Sequence, residues 1–450
     1  MATIAATLRR IKSDPLGSLG SKNKVNQLFA QAGHVWRERL LDPATTLGLF
    51  ILQVLHGNTA ITHLRHLSGK DVRPQSYCDA RARLPLAMLG TVITQWCRDC
   101  ITCTQDAVST WQGRRVLLAD ATTCITPDTP AMQRLWPQPS AQKPGCGFPM
   151  IKLLALMDLA TGMIMQLSMF CLNTHEMSQA AAMASMLRPG DVLLADRGFC
   201  SFVHLSLLAL KQIDAVFRMH QKQIVDFTPN RQHQRGRKKR RKRGVPTSRF
   251  VRRLGPDDQI VEWIKPSKKP QWMDQQEYDL LPPTLIVREL RYPIVVPGRR
   301  TRIVTIVTTL LDPIRFPKRE IARLYGLRWE IETNFRHLKQ TMKMDSLKCK
   351  TADGVMKELL VFTLVYNLVR AAMFAAAQRQ HADPNRVSFI DTLRWLRSDR
   401  TVQAIQLLIN RPRPGRCCPR VKKRRPKGYD LMTKARSQYM QPQSDQQLAA

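Results

Sequence analysis

Acidic residues are scarce in this chain. Its 450 residues hold 34 Asp and Glu against 71 Lys and Arg, a formal net charge of +37. A field of that size implies a polyanionic partner, with nucleic acid the leading candidate. Hydrophobic content of 44% is ordinary for a globular protein, which excludes a disordered basic tail. Long apolar runs are also missing. The most apolar segment, Leu359 to Val369, is too short to span a bilayer and is flanked by Lys357, Glu358 and Arg370. It predicts a buried core helix, and no membrane partner is expected. Arg9, Arg10 and Lys12 come before any apolar run can develop, so no secretory signal is read. A soluble, cytoplasmic protein acting where DNA is follows as the expectation. The 11 cysteines lack the spacing of a secreted scaffold, and reduced thiols are the default. Cys97, Cys100 and Cys103 form C-x-x-C-x-x-C, but a fourth ligand at sensible spacing is missing and the spacing suits one side of a helix.

The length suits two to four domains. Residues 1–110 carry apolar residues at helical spacing with scattered Arg, and a helical DNA-binding domain is expected there; a solvated helical bundle fits the same pattern. Residues 111–220 alternate strand and helix. The order is strand, hairpin turning at Asp158–Gly162, helix, strand, helix, strand, which predicts a mixed sheet of α/β class. Residues 221–312 break the pattern. Seven consecutive Arg and Lys, Arg237 to Arg243, cannot pack and predict an exposed loop, solvated when free and suited to phosphate. The later runs QIVEWI, TLIVREL and RIVTIVTTL read as strands, so this part is expected to be a basic, all-β insertion. Residues 313–380 return to the core with two helices, and 381–450 are helical, then Pro- and Arg-rich.

Two places in the first core segment share one word. Val116 to Asp120 and Val192 to Asp196 both spell Val-Leu-Leu-Ala-Asp. Such an unbroken apolar run predicts a strand buried on both faces, and the Asp is expected at its carboxyl end, where sheet-based enzymes place ligands. An Asp closing a strand is also a common turn or cap residue. Asp191, at the start of the second strand, belongs to the wrong end of the sheet. A third place supplies more polar groups. Tyr325, Arg328, Glu332 and Lys339 are spaced three, four and seven apart, within a wedge of roughly 60° on a regular α-helix. Ile331, Phe335, Leu338 and Met342 form the apolar stripe beside them. Taken alone, Arg328 and Glu332 are an ordinary i,i+4 ion pair. Together with two strand-end aspartates, Glu332 makes a third carboxylate for one site. Three carboxylates repel one another unless divalent cations lie between them, and carboxylate oxygen is the ligand that Mg²⁺ and Mn²⁺ prefer.

The order Asp120, Asp196, then Tyr325-x-x-Arg328-x-x-x-Glu332 with Lys339 seven residues on, resembles the bacterial insertion-sequence transposases of the Asp-Asp-Glu class, in the subgroup named for its Tyr-Arg-Glu-Lys signature. The Asp-Arg-Gly-Phe run from Asp196 to Phe199 and the segment Leu324 to Glu332 are similar too. The resemblance covers roughly residues 35–380. It implies a ribonuclease-H-like catalytic core with an all-β insertion before the Glu-bearing helix. It implies that Asp120, Asp196 and Glu332 bind two Mg²⁺ ions, for which Mn²⁺ can substitute, and that strand cleavage and strand transfer follow by phosphoryl transfer without a covalent enzyme intermediate, in cut-and-paste fashion with a hairpin end as one route. Tyr325, Arg328 and Lys339 would hold terminal phosphates. Partners implied are double-stranded transposon ends, target DNA and a second copy of the chain in a synaptic dimer. A Trp of the insertion stacks a flipped base in some relatives, and Trp263 and Trp272 both qualify. His175 and Glu176 are open to a supporting role, with helix capping as the plainer reading for Glu176. Two rivals stand beside it: a metal-dependent nuclease of the same fold and metals without strand transfer, and a non-catalytic basic DNA-binding protein, which the charge and tail support but which leaves the three carboxylates unexplained.

Overall fold

The computed structural model describes residues 4–14, 22–37, 39–104, 110–174, 176–234, 244–295, 302–398, 405–411, 417 and 428–439. The run Arg237–Arg243, His175 and most of the basic tail lie outside them. Among the described residues, the α-helices α1 (Ile4–Ser13), α2 (Lys22–Gln31), α3 (Pro43–Leu55), α4 (Leu64–Ser68), α5 (Pro74–Arg83) and α6 (Leu86–Thr104) precede β1 (Val116–Ile125). Next come α7 (Pro130–Leu135), β2 (Met150–Asp158), β3 (Ile164–Cys171), α8 (Glu176–Met183), β4 (Val192–Ala195), α9 (Phe202–Leu210) and β5 (Asp214–Arg218). The middle of the chain adds β6 (Arg249–Gly255), β7 (Asp258–Ile264), α10 (Gln275–Leu280), β8 (Thr284–Ile294) and β9 (Arg302–Thr308). Last are α11 (Lys318–Gly326), α12 (Trp329–Arg336), a π-turn over His337–Thr341, α13 (Ala352–Arg379), α14 (Phe389–Arg397) and α15 (Arg436–Tyr439).

The nine strands among the described residues form one sheet, in the order β3-β2-β1-β4-β5-β9-β8-β7-β6. Only the neighbouring pairs β1–β4 and β4–β5 are parallel; the other pairings in the sheet are antiparallel. Residue parity sorts the strand side chains onto two faces. Val116, Leu118, Val192, Leu194 and Val216 join a core built with α3, α6, α11, α12 and α13. Leu117, Ala119, Leu193, Ala195, Ala215 and Phe217 join a second core with α8 and α9. Apolar residues at both parities explain why the VLLA words read as unbroken runs: the sheet is covered on both sides.

Three expectations need correction. β1 does not stop at Asp120. It continues to Ile125 and pairs with β2 along Asp120↔Ala155 as far as Ile125↔Met150. Only its ladder with β4 stops, at Ala119↔Ala195, because β4 ends there. The segment 221–312 is not all-β. Asp274 caps α10 by accepting from the Glu277 N–H at 2.7 Å, the Asp-x-x-Glu pattern of a helix start that the strand-rich surroundings hid. Its strands also include β6, whose Arg-rich sequence masks the strand period, and β9 pairs directly with β5 so that all four extend the core sheet. Finally, the apolar segment around Leu359 to Val369 belongs to a 28-residue helix, since the alanines after it prolong the run. By length and composition α13 could cross a bilayer. It is instead packed within the protein, with Val361, Phe362, Val365 and Val369 fully buried.

Polar contacts fix α13 against the β2–β3 turn. Asn367 accepts from the Ile164 N–H at 2.9 Å and donates to its carbonyl at 2.8 Å. The Tyr366 hydroxyl donates to the Gly162 carbonyl and Arg370 Nε to that of Thr161, both at 2.8 Å. Gly162 has φ +69°, which favours glycine, and a Cβ there would have to displace the Arg370 guanidinium.

On the other face, His204 of α9 supports the Asp196–Phe199 turn. Its Nδ1–H donates to the Phe199 carbonyl at 3.0 Å and its ring stacks on Phe217. Burial pushes its pKa down to about 4, below the ordinary 6.5. Between those values the unfolded chain binds the proton and the folded chain does not, so stability contributed by neutral His204 is present above 6.5 and lost as pH falls toward 4. The full loss is of order 3 kcal/mol. Replacing His204 by Gln should flatten the fall in Tm over that pH window, measured by thermal melts; an unchanged slope would remove His204 as its source.

Candidate active site

The site begins with register. Val116↔Val192, Leu117↔Leu193, Leu118↔Leu194 and Ala119↔Ala195 pair, so the two copies of the VLLAD word lie side by side. Asp120 and Asp196 are each the residue after the last pair. Neighbouring strands lie about 4.8 Å apart, which puts the two aspartates next to each other. By parity both belong with Val116, Leu118, Val192 and Leu194, on the face that α11 and α12 cover. Asp191, at the other end of β4, is taken up by Arg115 at 2.5 Å.

The Tyr-Arg-Glu-Lys segment lies over that face, but not as one regular helix. α11 ends at Gly326 and α12 begins at Trp329. Between them the bonds tighten to i→i+3: Leu327 N–H to Leu324 O at 3.0 Å, Arg328 N–H to Tyr325 O at 3.1 Å, Glu330 N–H to Leu327 O at 3.0 Å. In such a 3₁₀ turn residues three apart eclipse, which aligns Tyr325 with Arg328, and Gly326 weakens the α-helical alternative. The π-turn then carries Lys339. Ile331, Phe335, Leu338 and Met342 are all buried, as the apolar stripe required.

These irregularities deliver all four side chains to the strand ends. The Tyr325 hydroxyl approaches Asp196 Oδ1 at 3.5 Å. Arg328 reaches Asp120 Oδ2 through Nη1 at 3.2 Å and Glu332 Oε1 through Nη2 at 2.8 Å. Lys339 Nζ donates to the Thr123 carbonyl at 2.8 Å, further along β1. The i,i+4 pair of Arg328 and Glu332 is thus real, but it extends inward to a strand carboxylate. Arg328 is only 4% exposed, whereas the Glu332 side chain is 42% exposed.

Burial raises the Asp120 pKa to about 6 against the relief from the Ala121 N–H and Arg328, and Glu332 and Asp196 push it further up. Burial also raises the Tyr325 pKa, keeping the phenol protonated. For Arg328 burial acts downward, but Tyr325, Glu332, Asp120 and Asp196 outweigh it and raise its pKa.

One residue was missed. Ala195↔Phe217 register brings Arg218, the last residue of β5, beside Asp196, at 3.9 Å. The available signal was a base directly after a buried strand run, which alone is unremarkable. Glu176 sits in the first turn of α8, 3.4 Å from Lys152, with its carboxylate against Gly198 in the turn after Asp196. The two tryptophans separate: the Trp263 indole N–H donates to buried Glu289 at 3.1 Å, a core role, while Trp272 is half-buried.

Among the described residues no three Cys, His, Asp or Glu side chains gather closely enough to hold an ion. Asp120 and Glu332 meet around a guanidinium. The donor set nonetheless suits a hard divalent cation. It is all oxygen, and an acid raised by burial and by two neighbouring acids is one that added positive charge relieves.

Residues 111–368, the stretch that holds these two aspartates and the glutamate, match the transposase DDE domain. The chain belongs to that family. Over 325 residues it is 24% identical to the transposase InsG for insertion sequence element IS4 of Escherichia coli (strain K12), covering 71% of this chain and 66% of that one. The match thus spans just under two thirds of the relative's length. A cryo-EM structure of the piggyBac transposase synaptic complex with hairpin DNA is similar at a TM-score of 0.45 and 10% identity, over 88% of this chain and 79% of that chain.

In this DDE chain the Arg328 bridge has a stability consequence. Replacing Arg328 by Ala should cost about 2 kcal/mol when Asp120 is ionised, discounted for the exposure of Glu332. Below about 6, where Asp120 is protonated, less is lost. Chemical denaturation about two units above and below that pKa measures it; equal losses at both pH values would show that the bridge to Asp120 contributes nothing.

Proposed function

We propose that the chain is a DNA transposase of an insertion sequence that cuts transposon ends and joins them to target DNA, with Asp120, Asp196 and Glu332 as the metal-binding catalytic acids. The observation that carries this reading is the register of β1 with β4, which sets Asp120 beside Asp196 on the face where Arg328 holds Glu332. The order β3-β2-β1-β4-β5, antiparallel then parallel, supports a ribonuclease-H-like core for residues 111–220 and 313–380, with 221–312 inserted between them.

Two divalent cations, Mg²⁺ or Mn²⁺, would be held by Asp120, Asp196 and Glu332 and would supply Lewis-acid activation of the attacking oxygen and charge relief at the leaving oxygen. The protein's own groups do the positioning. Tyr325, kept protonated by burial, donates a hydrogen bond. Arg328 and Lys339 offer planar and point-charge grips on phosphate oxygens, and Arg218 adds a third cation beside Asp196. The excess of basic residues steers duplex DNA to the chain. Cut-and-paste insertion through a hairpin end, a synaptic homodimer and a cytoplasmic setting complete the reading. Three phosphate-holding groups around the acids favour strand transfer over simple hydrolysis, which needs fewer.

Replacing Asp120, Asp196 or Glu332 by Ala should abolish Mg²⁺-dependent cleavage of a duplex carrying the element's end while leaving gel-shift binding to it largely intact. End cleavage by the Glu332→Ala protein would sink the assignment. Appearance of cut ends without joined products would instead favour the nuclease reading. Lys339→Ala should lower the slope of log K against log salt for end binding by about one phosphate contact. An unaltered slope would place Lys339 off the DNA.

A further inference from the structure

Arg328 is bound where a cation belongs, and its binding is incomplete. Its guanidinium gives one nitrogen to Asp120 and one to Glu332, at 3.2 and 2.8 Å, and forms a two-pronged fork with neither. Nε is buried and has no hydrogen-bond partner among the described residues. A buried donor left unmade costs free energy, and a guanidinium forked onto one group is the stronger arrangement. A phosphate, with several acceptor oxygens, can take both prongs and the Nε–H.

The backbone and surroundings allow the transfer. Arg328 stands in the tight turn between α11 and α12, outside either regular helix. Mid-helix turns of this kind are associated with hinges. Its guanidinium lies 4.9 Å over the Trp329 ring and 6.0 Å from that of Tyr325. Trp329 is 49% exposed, so one of those aromatic faces leads to solvent. The Glu332 side chain is 42% exposed and that of Asp120 21%. When Arg328 leaves, two carboxylates lose a single positive charge, and a divalent cation matches the pair that remains.

We propose that Arg328 is a placeholder cation. In the DNA-free chain it holds Asp120 and Glu332 and bars divalent cations from them; at a DNA end it moves to a backbone phosphate and releases the pair. Metal loading is thereby tied to DNA-end binding. Each must strengthen the other by the same factor. The consequence is protective: the acids stay closed until DNA is seated against them. This rests on the assignment of Asp120 and Glu332 as metal-binding acids. Arg328 acts here as a positioning residue, so the test reads metal binding and not cleavage.

The full chain is titrated with Mn²⁺ alone, and free Mn²⁺ is followed by electron paramagnetic resonance. Arg328→Gln keeps hydrogen bonding to the carboxylates without the charge, and Arg328→Lys keeps the charge without the bridge. Without DNA, Arg328→Gln should bind Mn²⁺ about 10-fold more tightly than the unchanged chain, with Arg328→Lys between them. Adding a duplex that carries the sequence bordering the gene, with the duplex's own Mn²⁺ uptake subtracted, should tighten binding to the unchanged chain and leave Arg328→Gln unaltered. Equal or weaker Mn²⁺ binding by both variants overturns the placeholder role while leaving the acids as metal ligands. Mn²⁺ binding that survives Asp120→Ala in the Arg328→Gln background places the metal elsewhere and overturns the site assignment with it.

Discussion

The in-register parallel pairing of β1 with β4 is the constraint on which the rest of the site depends. It puts like charges at neighbouring strand positions, on one face, at the edge of a core that excludes water. Like charges so placed are destabilising, and nearby positive charge relieves them. The fold answers from two directions: Arg328 comes down from the α11–α12 turn onto Asp120, and Arg218 arrives beside Asp196 from the next strand. The raised pKa of Asp120, about 6, shows that the compensation is partial, since burial and the two other acids outweigh the guanidinium.

Packing makes that compensation precise enough to matter. The stripe from Ile331 to Met342 anchors the signature segment to the same core as β1 and β4, so helix irregularities cannot relax by sliding. Downstream, Glu358 of α13 accepts from the N–H groups of Lys348 and Cys349 at 2.8 and 2.9 Å and from Asn58 at 2.5 Å. It ties the end of the segment to the N-terminal helices. The tight turn and the π-turn therefore lie between anchored segments. Arg328 keeps an unfinished set of bonds, its Nε without a partner among the described residues.

Charge acts at two ranges. The net excess of 37 positive charges works over the whole surface and brings a polyanion near without choosing its sequence. At the strand ends the balance is reversed: Asp120, Asp196 and Glu332 outnumber the guanidiniums that reach them. A duplex drawn to the basic surface meets a small acidic centre within it, a contrast suited to phosphate chemistry assisted by cations. The four strands β6 to β9 extend the sheet away from β5 and so widen the surface on one side of that centre.

The sequence by itself determined the local facts: the VLLAD strands, the hairpin at Asp158–Gly162, the apolar stripe, and the four polar residues beside it. Each is written in short-range periodicity, which backbone geometry converts directly into structure. It also determined the family resemblance, because a signature is a matter of residue type and spacing. α10 was legible in its Asp274-x-x-Glu277 start, had the surrounding strands not suggested uniform β-structure. What only the tertiary structure decided is how distant pieces meet. Asp120 sits within a strand because β2 continues the ladder where β4 does not, and no property of residues 116–125 says which neighbour is shorter. Arg218 becomes a site residue through the β4–β5 register alone. The break between α11 and α12 and the place of Arg328 between two acids come from long-range packing against the sheet. Coulomb attraction between residues some two hundred positions apart acts only after the chain has closed the distance.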